Sequence, residues 1–399
     1  MNVKSGIRRW FVLFSLGVLV GGLGLYGYFK RGEIYQSPDE LRSDIGAKWL
    51  KKGVTVALVW PNDDGPSFVD GATMALDDLN ATEPKLAGKI RLKRFVETQR
   101  NAGVKIAEQV AKHGDVVAVL GHETSASAVP ASLIYEENGI LFITPTSTDP
   151  RLTTHGFRYL FRLTPDDREN ADALVQFAKK QGYKRVGVLY ARTEYGQSLA
   201  PFFVSAATDA GIQVVFCRSY LESERDFRPM VAQVREEQFD AVMIADQAPR
   251  AVHLIKDMAR MGVSQPILGS DKMDSDVLWQ FADTIAGNVY VASAENPQAL
   301  NPQYEEFKKR FESRFHLVPD YDATQGYIAV TLLAKAMLAS NTADPLIVAT
   351  TLHCTKSWAG LFGGFSFDGE GDVLGREIFI KHMENGNLDT VALLRDEQP

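Results

Sequence analysis

Cysteine is nearly absent: the 399 residues contain two, Cys217 and Cys354. Two thiols cannot staple a disulfide framework, and no Cys-x-x-Cys pairing is present to hold zinc, so a pair of unpaired buried thiols is expected. Charge is missing altogether from residues 10–29. Beyond residue 31 the shortage is of positive charge, with 38 of the 43 bases facing all 50 acids, a balance near −12. Such a body repels nucleic acid, and no basic cluster with interleaved aromatics interrupts it. Catalytic signatures are missing too. There is no Gly-x-Gly-x-x-Gly after the first apolar run, no phosphate-binding Gly-x-x-x-x-Gly-Lys, no Gly-x-Ser-x-Gly elbow and no His-Glu-x-x-His. His122-Glu123 comes nearest to the last, but Ala126 stands where the second histidine would be. The seven histidines are scattered singly and read as surface or satisfied core residues. No enzyme, metal or cofactor is expected.

What is present is ordinary soluble-protein composition. Hydrophobic residues at 45% and charged residues at 23% exclude a disordered chain and a many-span membrane protein. From residue 54 onward the chain is about twice a typical domain of roughly 150 residues, so two lobes are expected. The head is different. Lys4, Arg8 and Arg9 precede the uncharged run, and Tyr26, Tyr28 and Phe29 close it before Lys30 and Arg31. About 20 apolar residues span the hydrocarbon as a helix, and aromatics with outlying bases fit its interface. No small-x-small cleavage site follows, so the expectation is an uncleaved transmembrane anchor over 1–31, with a cleaved export signal as the alternative. The body would then face outward, on the extracytoplasmic side of a bacterial inner membrane. Partial twin-arginine (Arg8-Arg9) and Gly-x-x-x-Gly (Gly17 to Gly21) patterns carry no further weight. Ser37-Pro38-Asp39-Glu40 reads as a helix start in a spacer over 32–53.

From Val54 short apolar runs alternate with amphipathic stretches, the pattern of strands and crossover helices in a parallel sheet. Strands are expected at 54–60, 90–97, 116–120 and 140–144, with helices at 68–80, 104–112 and 126–137 between them. A second series follows Arg162-Leu163-Thr164-Pro165: helices at 169–181, 196–210, 227–236 and 250–261, strands at 185–190, 213–217, 241–245 and 266–268. Gly182, Gly211 and Gly262 each fall just past a helix end, where a left-handed residue is needed. Later come a strand at 288–291, helices at 303–315 and 323–338, and antiparallel-looking runs at 365–367, 377–381 and 390–394. The fold class is therefore α/β, two Rossmann-like lobes with parallel sheets. Ligands of such sheets collect at the carboxyl ends of the strands.

The strand-end loops Gly121-His122-Glu123-Thr124-Ser125-Ala126-Ser127 and Thr144-Pro145-Thr146-Ser147-Thr148-Asp149-Pro150 resemble those of the type I periplasmic ligand-binding proteins, in particular the branched-chain amino-acid receptors of ABC importers. Tyr190-Ala191-Arg192-Thr193-Glu194-Tyr195-Gly196-Gln197 and Asp226-Phe227-Arg228-Pro229 are similar to the same family's second-lobe motifs. The likeness runs from about residue 54 to 394. It implies two lobes joined by three chain crossings, with a ligand enclosed as they close, lobe 1 from 54–164 plus 293–359 and lobe 2 from 165–292 plus 360–399.

Read from the residues, the loops suit a zwitterionic amino acid. The Ser125 and Thr148 hydroxyls, with backbone N–H groups around Ser125 to Ser127 and Thr146, Ser147 and Thr148, can donate to a carboxylate near a helix N-terminus. The resemblance implies that Asp271 accepts from the amino group, helped by the Thr146 carbonyl, and that Tyr195 closes over the ligand. Plain caps at Ser125 and Thr148, a turn at Asp271 and core packing of Tyr195 are the alternatives. Trp60 and Phe68 could wall the pocket or belong to the core. Glu123 and Gln247 stand where branched-chain receptors carry apolar or aromatic groups, and Lys272 follows the acid. Buried beside an aliphatic ligand, such groups would each cost about 1–3 kcal/mol, so a polar or charged amino acid or amide is expected. The function implied is capture of a small solute for an ABC permease; the alternative is a membrane-held sensor on the same fold.

Overall fold

A computed structural model describes residues 37–62, 67–99, 102–285, 288–295, 302–384 and 387–391. The uncharged run at 10–29 lies outside the described residues, as do its twin-arginine and Gly-x-x-x-Gly patterns. Among the described residues no helix is long and apolar enough to cross a membrane.

The expected spacer is docked rather than free. Its helix α1 (Pro38–Ala47) begins where Ser37 and Pro38 place it, the Ser37 N–H donating to Glu40 at 3.1 Å. Arg42, 1% exposed, then donates to four carbonyls: Val116, Pro38, Asn138 and Ala111, at 2.9–3.1 Å. A short helix α2 (Trp49–Lys52) buries Trp49 in the main core, and Gly53 turns into the first strand.

Strands β1 (Val54–Pro61), β2 (Ile90–Glu97), β3 (Val116–Gly121), β4 (Leu141–Thr144) and β5 (Leu160–Arg162) make a parallel sheet in the order β2-β1-β3-β4-β5. Between them run α3 (Phe68–Thr82), α4 (Gly103–Ala111) and α5 (Ser125–Glu137). Because alternate side chains of a strand face opposite ways, Val56, Leu58 and Trp60 enter one core with Phe68 and Met74, while Ala57 and Val59 enter another with Ile106 and Tyr135. Trp60 stacks on Phe68 within that first core, centroids 4.4 Å apart.

The second sheet takes β6 (Arg185–Ala191), β7 (Gln213–Tyr220), β8 (Ala241–Ala245), β9 (Ile267–Gly269) and β10 (Val289–Ser293) in parallel. Its helices are α6 (Asp167–Lys180), α7 (Glu194–Asp209), α8 (Arg228–Val234), α9 (Ala248–Arg260) and α10 (Asp276–Ile285). The chain then returns to the first lobe as α11 (Pro302–Phe315), α12 (Tyr321–Ser340) and α13 (Pro345–Cys354). Gly71 of α3 and Gly326 of α12 permit the close helix contact there: a Cβ on Gly71 would lie 1.8 Å from the Ala323 carbonyl oxygen, and one on Gly326 2.0 Å from that of Phe68.

The described residues beyond 357 divide between the lobes. An antiparallel trio, β11 (Trp358–Gly360), β12 (Gly363–Phe367) and β13 (Val373–Leu374), sends Phe365, Phe367 and Val373 into the first core. Only β14 (Phe379–Glu384) and β15 (Asn387–Val391) extend the second sheet, antiparallel, giving β15-β14-β10-β9-β8-β6-β7. The chain thus passes between the sheets after β5, after β10 and after β13. Both cysteines are unpaired but exposed, contrary to the burial expected of them. Cys217 lies on β7, the sheet's edge, where one strand face meets solvent, and Cys354 ends α13.

Docking of α1 gives a direct stability prediction. Arg42→Ala strips charged donors from four carbonyls and should lower the unfolding free energy by about 3 kcal/mol in urea denaturation. A loss under about 0.5 kcal/mol, the range of ordinary surface changes, would mean that α1 is not docked in solution.

Candidate functional site

Every residue singled out from the sequence sits at the carboxyl end of a strand, and most are buried. In the first lobe, β3 ends at Gly121 and α5 starts at Ser125, whose first N–H groups have no intrahelical acceptor. Ser125 is 6% exposed, Thr146 and Ser147 1%, and Thr148 0%. Two of the hydroxyls are committed to the neighbouring loop: Thr146 Oγ1 donates to the Glu123 carbonyl at 2.9 Å, and Ser147 Oγ lies 3.5 Å from that of His122. They brace the two loops against each other. The Thr148 hydroxyl has no hydrogen-bond partner among the described residues. Beneath the loop His122 is a satisfied core histidine, held between Glu97 at 2.8 Å and the Tyr135 hydroxyl at 2.9 Å.

In the second lobe, Asp271 follows β9 and receives the Tyr195 hydroxyl at 2.5 Å. Tyr195 itself starts α7 and packs in the second-lobe core, so its ring is core and its hydroxyl orients the carboxylate. Burial raises the Asp271 carboxyl, opposed by Lys272 and by the Tyr195 hydrogen bond. Gln247 stands apart from this cluster. It is the cap residue of α9 and lines a recess of about 230 Å³ with Glu222, Arg225, Pro249, Arg250 and His253. Asp246, just before it, is fully buried and held by Arg250 and the Tyr220 hydroxyl.

Asp167 was not identified from the sequence. It occupies the first turn of α6, just after the first crossing, fully buried, with neither carboxylate oxygen hydrogen-bonded among the described residues. Its N–H donates to the Thr148 carbonyl at 2.9 Å, which binds the two lobes' site loops together. Burial holds its carboxyl up at about 7, with Asp271 and Asp149 adding to the rise and the nearby Ser198 and Thr148 hydroxyls opposing it. The two carboxyls, Asp167 and Asp271, thus lie within electrostatic reach of each other, with the Thr148 hydroxyl of the first lobe close to Asp167. A small molecule bearing an ammonium and a carboxylate would satisfy both sets. At the rim Arg151 of the first lobe meets Glu194 of the second at 2.7 Å, a half-exposed pair worth under about 1 kcal/mol. Among the described residues no cluster of three or more metal-ligating side chains converges.

The titration of Asp167 has a definite sign. Folding lifts the group from the ordinary aspartate range to about 7, so the folded state keeps a proton that the unfolded chain has lost. Stability should fall as pH rises from about 4 to about 7 and level off above. Asp167→Asn should remove that slope and exceed the parent's stability by about 2 kcal/mol at pH 8, with the difference gone at pH 4. Parallel stability profiles for the two proteins would refute the assignment.

Comparison with known proteins agrees with this geometry. Residues 60–387 match the family model described as periplasmic binding protein. An amino acid binding protein of Pseudomonas aeruginosa is 27% identical over 77% of this chain and 83% of its own length. The Leu/Ile/Val-binding protein of Citrobacter freundii is 26% identical over 84% of this chain and 90% of its own. Among solved structures, an ABC transporter substrate-binding protein from Desulfitobacterium hafniense in complex with Leu is 27% identical and superposes with a TM-score of 0.74, covering 85% of this chain and all of that one. With two sheets built on parallel strands, three crossings between them and a family match over residues 60–387, the chain belongs to the periplasmic binding proteins.

Proposed function

We propose that the chain is an extracytoplasmic solute-binding protein that captures an amino acid between two closing lobes and presents it to the permease of an ABC importer. The reading is supported by unpartnered donors and acceptors where the strand ends of the two lobes meet. The α5 N-terminus and the Thr148 hydroxyl offer hydrogen to a carboxylate, and Asp271 and Asp167 offer lone pairs to an ammonium. The relatives' names, amino acid binding and Leu/Ile/Val-binding, support the solute class. Closure follows from a ligand that touches both lobes and so stabilises the closed state over the open one. Lobe 1 would comprise 54–164 and 293–359 extended to about 374, and lobe 2 the remainder. Ser125, Thr146, Ser147, Thr148, Tyr195, Asp167 and Asp271 form the site in this reading, with Glu123 at its margin favouring a polar or charged side chain over an aliphatic one, while Gln247, in its separate recess, falls outside it. The uncharged run at 10–29, flanked by bases, would tether the body to the membrane or direct its export.

The test is a thermal-shift screen of the purified full chain against amino acids and their amides. A ligand present at 100 times its Kd stabilises by about 2.7 kcal/mol, a shift of a few degrees. No shift with any of them would sink the proposal. For the ligand found, Asp271→Asn should weaken binding about 100-fold, because it removes one of the two carboxylates that receive the buried ammonium; unchanged affinity would remove Asp271 from the site.

A further inference from the structure

A cation on the third crossing keeps two of its N–H groups unpartnered among the described residues. Arg376 lies on the third crossing, between β13 and β14. Its guanidinium rests against the rings of Phe365 and Phe362, 5.0 and 5.5 Å from their centroids, and burial lowers its pKa. Its Nε and Nη2 atoms are buried and without a hydrogen-bond partner among the described residues. Those two N–H groups point along one edge of the guanidinium, the parallel fork that fits the two oxygens of a carboxylate. A buried guanidinium without an anion is costly, and two ring faces replace little of its hydration.

Tyr321 connects this cation to the site already described. It lies within electrostatic reach of both Arg376 and Asp271. Its hydroxyl donates to Thr164 at 3.0 Å on the first crossing and accepts from Gln325 Nε2 at 2.6 Å. The same Gln325 amide donates to the Pro145 carbonyl at 3.1 Å, one residue before the Thr146 to Thr148 loop, and its Oε1 is buried and unpartnered among the described residues. The unpartnered groups thus run from Thr148 and Asp167 through Gln325 to Arg376.

We propose that Arg376 is the specificity-determining residue of the cleft and receives the side-chain carboxylate of an acidic amino acid. This rests on the amino-acid reading above and narrows it. The ligand's α-carboxylate meets the α5 N-terminus and Thr148, its ammonium meets Asp271 and Asp167, and its distal carboxylate meets the Arg376 fork, with Gln325 and Tyr321 lining the span. Charge is matched at every end. A neutral aliphatic side chain would leave Arg376 as it stands.

Titration calorimetry on the purified full chain with L-glutamate, L-aspartate, L-glutamine and L-leucine decides the matter. One of the two acids should bind at least about 30-fold more tightly than glutamine or leucine, since a site built for a charged group rejects its neutral isostere. Arg376→Gln should weaken the acid about 100-fold and abolish its preference over glutamine. Leucine or glutamine binding as tightly as the acids overturns the inference while leaving amino-acid binding intact. So does an Arg376→Gln protein that keeps the parent's affinity for the acid. If no amino acid of any class binds, the underlying reading fails and takes this one with it. Should the variant not fold, the parent's preference for the better-bound acid over glutamine decides alone: a strong preference upholds the inference, and equal affinities overturn it.

Discussion

One buried guanidinium, that of Arg162, holds together the segments on which the cleft depends. It ends β5, is fully buried, and donates to the Asp149 carbonyl at 2.8 Å and the Thr153 hydroxyl at 3.2 Å, while pairing with Asp372 and lying 3.6 Å from Asp166. Its own N–H reaches the Gly371 carbonyl at 2.9 Å. Gly371 takes a positive φ there, and a Cβ on it would come within 2.2 Å of the Leu160 carbonyl oxygen. First-lobe loop, first crossing and third crossing therefore share one charge. Burying such ions is seldom a net gain over apolar packing, but removing one partner leaves the others stranded. The arrangement serves registry: it sets where Asp167 leaves the first lobe and where the third crossing carries Arg376. Lys381 does similar work at the second crossing, 2.7 Å from Asp274 and 3.6 Å from Glu295, whose carboxyl burial raises.

Against that fixed frame the cleft is left electrically unfinished. The structural ions at the hinge, Arg162, Asp166, Asp372 and Lys381, all have partners. Of the buried side chains with an unpartnered atom among the described residues, Thr148, Asp167 and Gln325 lie near the strand ends and Arg376 on the third crossing, while Trp49, Gln265, Ser275 and Thr390 lie elsewhere. Buried polar groups are nearly always paired, so in the proposed reading the four that lie near the crossings are the ones a bound molecule would pair. In that reading closure and recognition would have one cause, because a ligand that paired these groups would also bridge the lobes they belong to.

Much of this was legible in the sequence, and what was not has physical reasons. Strands β1 to β4 and β6 to β9 declare themselves by apolar runs between turn residues, and Gly182, Gly211 and Gly262 mark helix ends because each takes a positive φ there. Ser125 and Thr148 stand out as hydroxyls at strand ends. Asp167 does not, since an acid in the first turn of a capped helix is already explained by the helix dipole; only the fold shows that it is buried without a partner. Arg376 is a lone base in a short link, and nothing local reveals the aromatic rings and Tyr321 around it. Helix α13 escaped because its β-branched run blurs the helical period and it exposes Leu346 and Ile347, 44% and 48% accessible. The docking of α1 was hidden in Arg42, a charged residue whose burial no pattern of apolar residues announces.

The central claim is that a single small ligand joins the two lobes across this cleft. Small-angle X-ray scattering of the full chain, with and without the amino acid that binds it, tests this most directly. The account predicts a smaller radius of gyration with ligand, as open molecules are drawn into the closed form. An unchanged radius at saturating ligand would contradict it.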